Sequence, residues 1–192
     1  VDDLWGQIKN NPIDGHTGTP FFIKELNEYA TIDAGELFLF GGREKSGKSM
    51  MLLQCAVDLI RQGKKVLYID SELNSRLFTA RLMAHLTKTE FMKIKTGRYG
   101  EDVVEKVDKA IEWMKKRDFT HIYVPILDSQ SLYTTVKKVH HTQGIDVLIV
   151  DYFKSSGRGD AYENYNELGV ITDMVKNTIC GSMNIAGIGA VQ

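Results

Sequence analysis

Short apolar runs alternate along the chain with longer stretches in which apolar residues recur every three or four positions. That rhythm predicts βαβ units around a parallel sheet, an α/β fold. The candidate strands are Leu37–Phe40, Val66–Ile69, His121–Val124, Val147–Val150 and Ile185–Val191. Several are continuously apolar, as strands covered by helices on both faces must be. Between them, Ser49–Gln62 carries Met51, Leu52, Cys55, Ala56, Leu59 and Ile60 at helical spacing and ends at Gly63, a candidate C-cap. Asn74–Leu86 opens on an Asn-Ser cap signal, and Glu101–Lys116 sets Val103, Val104, Val107, Ile111 and Met114 on one side. Ser131–His141 and Glu167–Cys180 complete the predicted helices, and Ser155–Tyr165, rich in Gly, Ser, Asp and Asn, reads as a mobile solvated loop. Residues 1–35 hold turn signals and one short helix candidate near Phe22–Tyr29, so they read as an entry segment to a core spanning 36–192.

Bulk properties narrow the field only slightly. The 192 residues, 43% of hydrophobic type, suffice for one domain with a sizeable core. Lys and Arg total 24 against 25 Asp and Glu, so overall charge gives no argument for nucleic acid. Cys55 and Cys180 fit no metal-ligand spacing and are expected to be buried free thiols. No apolar run is long enough to span a bilayer and no secretory signal opens the chain, so a soluble intracellular protein is expected. The start at Val1 and the stop at Gln192, inside an apolar run, read as the ends of a fragment.

The chemistry is concentrated at strand tips. Gly42-Arg43-Glu44-Lys45-Ser46-Gly47-Lys48-Ser49 fits the P-loop pattern G-x-x-x-x-G-K-[ST], with an apolar strand leading in and a helix, beginning near Met50, leading out. Such a loop curls its N–H groups towards phosphate, and the helix that follows presents its positive end to the same anion. Lys48 is then placed for the β and γ phosphates of a nucleoside triphosphate such as ATP, and the Ser49 hydroxyl for Mg²⁺. Val147–Val150 runs into Asp151, an acid able to hold the water shell of the metal. Tyr152 follows, which disfavours motors that place their base directly after the metal acid. The base is sought instead at Glu72, past the strand that ends in Asp70; Asp70 is its competitor, with a hydrogen bond to the following turn as the structural alternative. Gln192, at the end of a strand of small residues, is a candidate γ-phosphate sensor.

In order, these residues resemble the DnaB-type replicative helicases, a RecA-like family of P-loop NTPases. The resemblance runs from about Ile13 to Gln192. It rests on Gly35-Glu36-Leu37-Phe38-Leu39-Phe40-Gly41-Gly42, Asp70-Ser71-Glu72-Leu73, Arg81-Leu82-Met83-Ala84, Lys93-Ile94-Lys95-Thr96-Gly97, Leu148-Ile149-Val150-Asp151-Tyr152, Asn166-Glu167-Leu168 and Val191-Gln192. It implies a mostly parallel sheet with helices on both faces and the Gln192 strand between the P-loop strand and the Asp151 strand. It further implies a homo-oligomeric ring, usually hexameric, with ATP and Mg²⁺ at subunit boundaries. Other implications are movement on single-stranded DNA in replication, a primase or loader as partner, no membrane, and a bacterial or phage-infected cytoplasm. The interior of the P-loop is more charged than is usual in the bacterial enzymes. The family's arginine finger and most DNA loops lie beyond Gln192, so the chain is expected to bind nucleotide better than it hydrolyses it and to bind DNA poorly. A recombinase-type RecA ATPase without unwinding activity and a P-loop small-molecule kinase are the competing readings. No Arg-rich lid follows Asp151 to favour the kinase.

Overall fold

The computed structural model describes residues 18–155 and 160–191. Five parallel strands form one sheet: β1 (Leu37–Gly41), β2 (Val66–Asp70), β3 (Phe119–Tyr123), β4 (Val147–Phe153) and β5 (Ala186–Val191), in the order β1-β5-β4-β2-β3. Each lies within a few residues of its predicted run, and β5 sits between β1 and β4, as the resemblance implies.

The helices are α1 (Lys48–Arg61), α2 (Ser75–Thr87), α3 (Phe91–Thr96), α4 (Glu101–Lys115), α5 (Ser129–Gln143) and α6 (Ala161–Asp173), the last running on as a π-helical stretch over Met174–Ser182. Side-chain caps start α2 and α5, and the sequence signals the first of these, Asn74. Asn74 accepts from the Leu77 amide and Asp128 from the Ser131 amide, so each satisfies an amide that the first turn leaves unpaired.

Two apolar layers sandwich the sheet. One gathers Leu52, Ala56 and Ile60 of α1 and Phe78 and Leu82 of α2 against Tyr68, Ile149 and Ile188. The other packs Leu132 and Val136 of α5 and Ile171 and Val175 of the last helix against Leu67, Ile69, Leu148 and Val150. This is why β2 and the first part of β4 read as unbroken apolar runs: every residue of β2 is buried.

Two sequence expectations need correcting. The loop Ser155–Tyr165 and the helix Glu167–Cys180 divide elsewhere. Residues 156–159 lie outside the described residues, but the helix already begins at Ala161. A capping box starts it there: the Asp160 carboxylate accepts from the Glu163 amide, and the Glu163 carboxylate accepts from the Asp160 amide. The Asp and Asn content that suggested a loop is in part this helix start.

Of the entry segment, residues 1–17 lie outside the described residues. Farther on, a 3-10 helix covers Lys24–Glu28, Thr19 and Ile32 exchange backbone hydrogen bonds, and the buried side chains of Phe21 and Ile32 join the α1 side of the core. The Phe21 ring centroid lies 4.7 Å from that of Phe38 on β1.

Candidate functional site

A parallel sheet delivers all its C-terminal strand ends to one side, and there the candidate residues meet. β1 ends at Gly41, and the chain turns through residues 42–47 before α1 begins at Lys48. Lys45 (φ 61°) and Gly47 (φ 93°) adopt left-handed backbone, and a side chain at position 47 would be strained. At Gly42 an added Cβ would lie 2.7 Å from the Ser46 hydroxyl, so a larger residue there would have to turn the Ser46 side chain aside. Within the loop the Ser46 amide donates to the Arg43 carbonyl. Gly47 stands at the N-cap of α1 with no side chain to give, so no capping side chain covers the N–H groups of its first turn. An anion fits that position.

The Lys48 ammonium donates to the carbonyls of Gly42 (2.7 Å) and Arg43 (2.8 Å), bracing the loop. It also lies 5.9 Å from the centre of the Tyr152 ring. The Ser49 hydroxyl donates to Asp151 Oδ1 at 3.0 Å, joining the start of α1 to β4. The other Asp151 oxygen accepts from the Tyr68 hydroxyl at 2.7 Å. Tyr68 is buried on β2, and sequence reading counted it only as one apolar position in a strand. Alternation puts Tyr68 and Asp70 on one face of β2, but that Asp70 pairs in register with Asp151 appears only in the fold.

Burial lifts the Asp151 carboxyl above its ordinary range, hydrogen bonds from Tyr68 and Ser49 oppose this, and the charges of Asp70 and Glu72 add to it. Burial, then the Asp151 charge, pushes the Tyr68 phenol well up. A cation beside Ser49 and Asp151 would relieve a partly desolvated negative charge, so Mg²⁺ fits the donor set. Among the described residues no group of three His, Cys, Asp or Glu gathers as a metal cage. The remaining ligands would therefore come from phosphate and water, the usual condition of Mg²⁺.

Asp70 and Glu72 part company at the tip of β2. Asp70 is fully buried, and its Oδ1 accepts from the amides of Glu72 (2.8 Å) and Leu73 (2.7 Å). The structural alternative weighed for Asp70 is thus what its geometry does, and it leaves the exposed Glu72 side chain facing the cleft. That cleft has a volume of about 870 Å³. Glu44, Lys45, Gly47, Lys48, Ser49, Met50 and Glu72 line it, with Tyr152 beside them. Its far wall is Arg81, Ala84 and His85 of α2, with Thr89 and Phe91, residues that sequence reading did not single out for the site. Burial first, then Lys88 and Arg61, pulls the His85 imidazole below its ordinary value. Tyr152 is lifted by burial and then by the neighbouring Glu72 carboxylate. Gln192 lies outside the described residues; the preceding Val191 carbonyl accepts from the Gly42 amide at the root of the phosphate loop.

The arrangement can bind a polyphosphate, hold a divalent cation on its flank and present a carboxylate beyond its end. Relatives point the same way. A probable plasmid replicative DNA helicase of Chlamydia psittaci is 26% identical over 167 residues, 85% of this chain and 36% of that protein. This chain therefore spans little more than a third of that relative's length. Among solved structures, one described as an ATPase domain matches 98% of this chain and 68% of its own at a TM-score of 0.83, with 17% identity. A DnaB-like replicative helicase described together with its interactions with primase matches 98% of this chain and 46% of its own at a TM-score of 0.81, also with 17% identity. Both establish the shared RecA-like fold. The sequence profile of the DnaB-like helicase C terminal domain matches residues 18–188. On that match, which takes in residues 42–49, Asp151 of β4 and the start of the small-residue strand, this chain belongs to the DnaB-like helicase C-terminal domain family.

Proposed function

We propose that this chain is the nucleotide-hydrolysing motor of a replicative DNA helicase. The observation that carries the reading is convergence: Lys48 and Ser49 after β1 and Glu72 after β2 line one cleft at an uncapped helix start, and Ser49 is hydrogen-bonded to Asp151 on β4. Backbone amides of residues 42–49 and the Lys48 ammonium hold the triphosphate of ATP. Ser49 would ligate Mg²⁺ and Asp151 would hold its water shell; bound there, the metal would supply positive charge against the triphosphate. Glu72 accepts a proton from the water that attacks the γ-phosphorus, while the bridging bond from that phosphorus breaks to leave ADP and phosphate. Gln192 hydrogen-bonds the γ-phosphate and reports its loss along β5. In the intact protein the turnover drives movement along single-stranded DNA in a homo-oligomeric ring, a hexamer as in the resemblance, with a primase or loader as partner.

Two variants test the site in the full-length protein. Glu72→Gln should keep ATP affinity within a few-fold and lower turnover by about 10²–10⁴-fold. Lys48→Ala should weaken ATP binding by about tenfold or more, having lost a charge-assisted contact. Unchanged turnover in the first variant rejects the base, and unchanged affinity in the second rejects the phosphate site. Failure of the full-length protein to separate a forked duplex with ATP present rejects the helicase reading while leaving the ATPase intact.

A further inference from the structure

Asp70 uses one carboxylate oxygen on the β2–α2 turn, and the other faces His121. In the pairing of β2 with β3, Tyr68 stands opposite His121 and Asp70 opposite Tyr123, so Asp70 and His121 share one face of the sheet. His121 Nε2 lies 3.7 Å from Asp70 Oδ2, with side-chain exposures of 8% and 1%. Neither atom has another hydrogen-bond partner among the described residues. The imidazole lies flat on Phe78 of α2, ring centroids 3.9 Å apart and planes 14° apart, which holds the plane of the ring.

An apolar side chain at 121 would suit this layer better, since each unmet buried polar atom carries a desolvation cost. The acid within 4 Å of the His121 Nε2 is Asp70, and Asp70 holds the amides of Glu72 and Leu73. We propose that His121 is a positioning residue for Glu72: it directs an Nε2–H at Asp70 Oδ2, and so fixes the carboxylate whose other oxygen pins the turn carrying the hydrolytic base. The separation exceeds that of a formed N–H···O bond by about 0.5 Å, a gap a small rotation of either side chain closes. His121 touches no phosphate and no metal ligand in this scheme; it acts through Asp70. The catalytic half of the inference rests on Glu72 as base, proposed above, and the structural half does not.

The test uses the full-length protein with His121→Phe, which keeps the stacked ring but no donor, and His121→Gln, which restores an N–H at similar reach. Hydrogen exchange at the Glu72 and Leu73 amides should quicken by about tenfold in His121→Phe and stay within about twofold of wild type in His121→Gln. Turnover should follow, with kcat about tenfold lower at unchanged KM in the first variant and recovered in the second. Equal exchange in wild type and His121→Phe, or equally fast exchange in both variants, overturns the inference. Altered exchange with unchanged kcat overturns the link to the base. If wild type hydrolyses no ATP, the Glu72 assignment fails and amide exchange still decides the pairing. Should His121→Phe not fold, wild-type imidazole NMR decides: a proton on Nε2 is expected, and a bare Nε2 beside the carboxylate refutes the pairing.

Discussion

Cys55 and Cys180 lie on opposite faces of the sheet, and burial pushes each thiol up to about 12. Both were legible in the sequence as buried free thiols, because they lie far apart and fit no metal spacing, and both are free and buried in the fold. Their folded values exceed that of an ordinary thiol near 9. Their stabilising contribution is therefore complete below about pH 9 and is lost as pH rises towards about 12. Two outcomes follow. Iodoacetamide at pH 8 should modify neither cysteine in the native protein and both in denaturant, and the urea midpoint should fall across that alkaline window. Replacing both by Ala or Ser should reduce the alkaline fall. The acids show the limit of sequence reading at this scale. Lys48, Ser49, Glu72 and Asp151 could be read because each stands at a fixed offset from a strand end. Tyr68 and His121 could not, because their partners are 83 and 51 positions away and appear only when strands pair in register: the Tyr68 hydroxyl binds Asp151, and His121 faces Asp70.

At the level of elements, the pattern of apolar runs found the five strands of the described residues, most plainly β2, β4 and β5, which lie between helix-covered layers. It missed the start of α6, whose exposed first turn has no apolar stripe to announce it and is set by Asp160 and Glu163 instead. The same holds for α3, six residues with none buried, which only the family resemblance marked as helical. Asp160→Ala should cost about 1 kcal/mol in urea unfolding through the lost cap, with Glu163→Ala costing less. β5 shows the opposite case, an element legible by what it lacks. A methyl at Gly189 would run into the Phe153 ring, and one at Gly187 would come within 2.6 Å of Cys180 Sγ and 2.9 Å of Leu37 Cδ1. Gly189→Ala should therefore destabilise the fold by about 1–3 kcal/mol, read as a lower urea midpoint. If the stability is unchanged, the close packing of β5 against β4 is wrong.

For the molecule as a whole, strand order was legible only through the resemblance, since apolar runs carry no record of which strand lies beside which. The structure gives that order directly, all parallel, with every named site element at the same end. A ligand held at that end by several strands stabilises the native state by mass action. Mg²⁺ and a non-hydrolysable ATP analogue, at about a hundred times the dissociation constant, should add about 2.7 kcal/mol to unfolding. The melting temperature should rise accordingly, and the rise should vanish in Lys48→Ala at the same concentration.

Neighbouring strands of any sheet stand about 4.8 Å apart. With β5 between β1 and β4, the strand that leads into the loop of residues 42–47 and the strand that carries Asp151 are two such intervals apart, about 10 Å at their axes. The backbone ladder thus acts as a ruler for the gap between the proposed phosphate cradle and the proposed metal acid. Drift among side chains cannot rescale that distance; only rupture of a ladder, at Gly41–Val191 or Val150–Gly189, would let the two halves of the site lose their calibration.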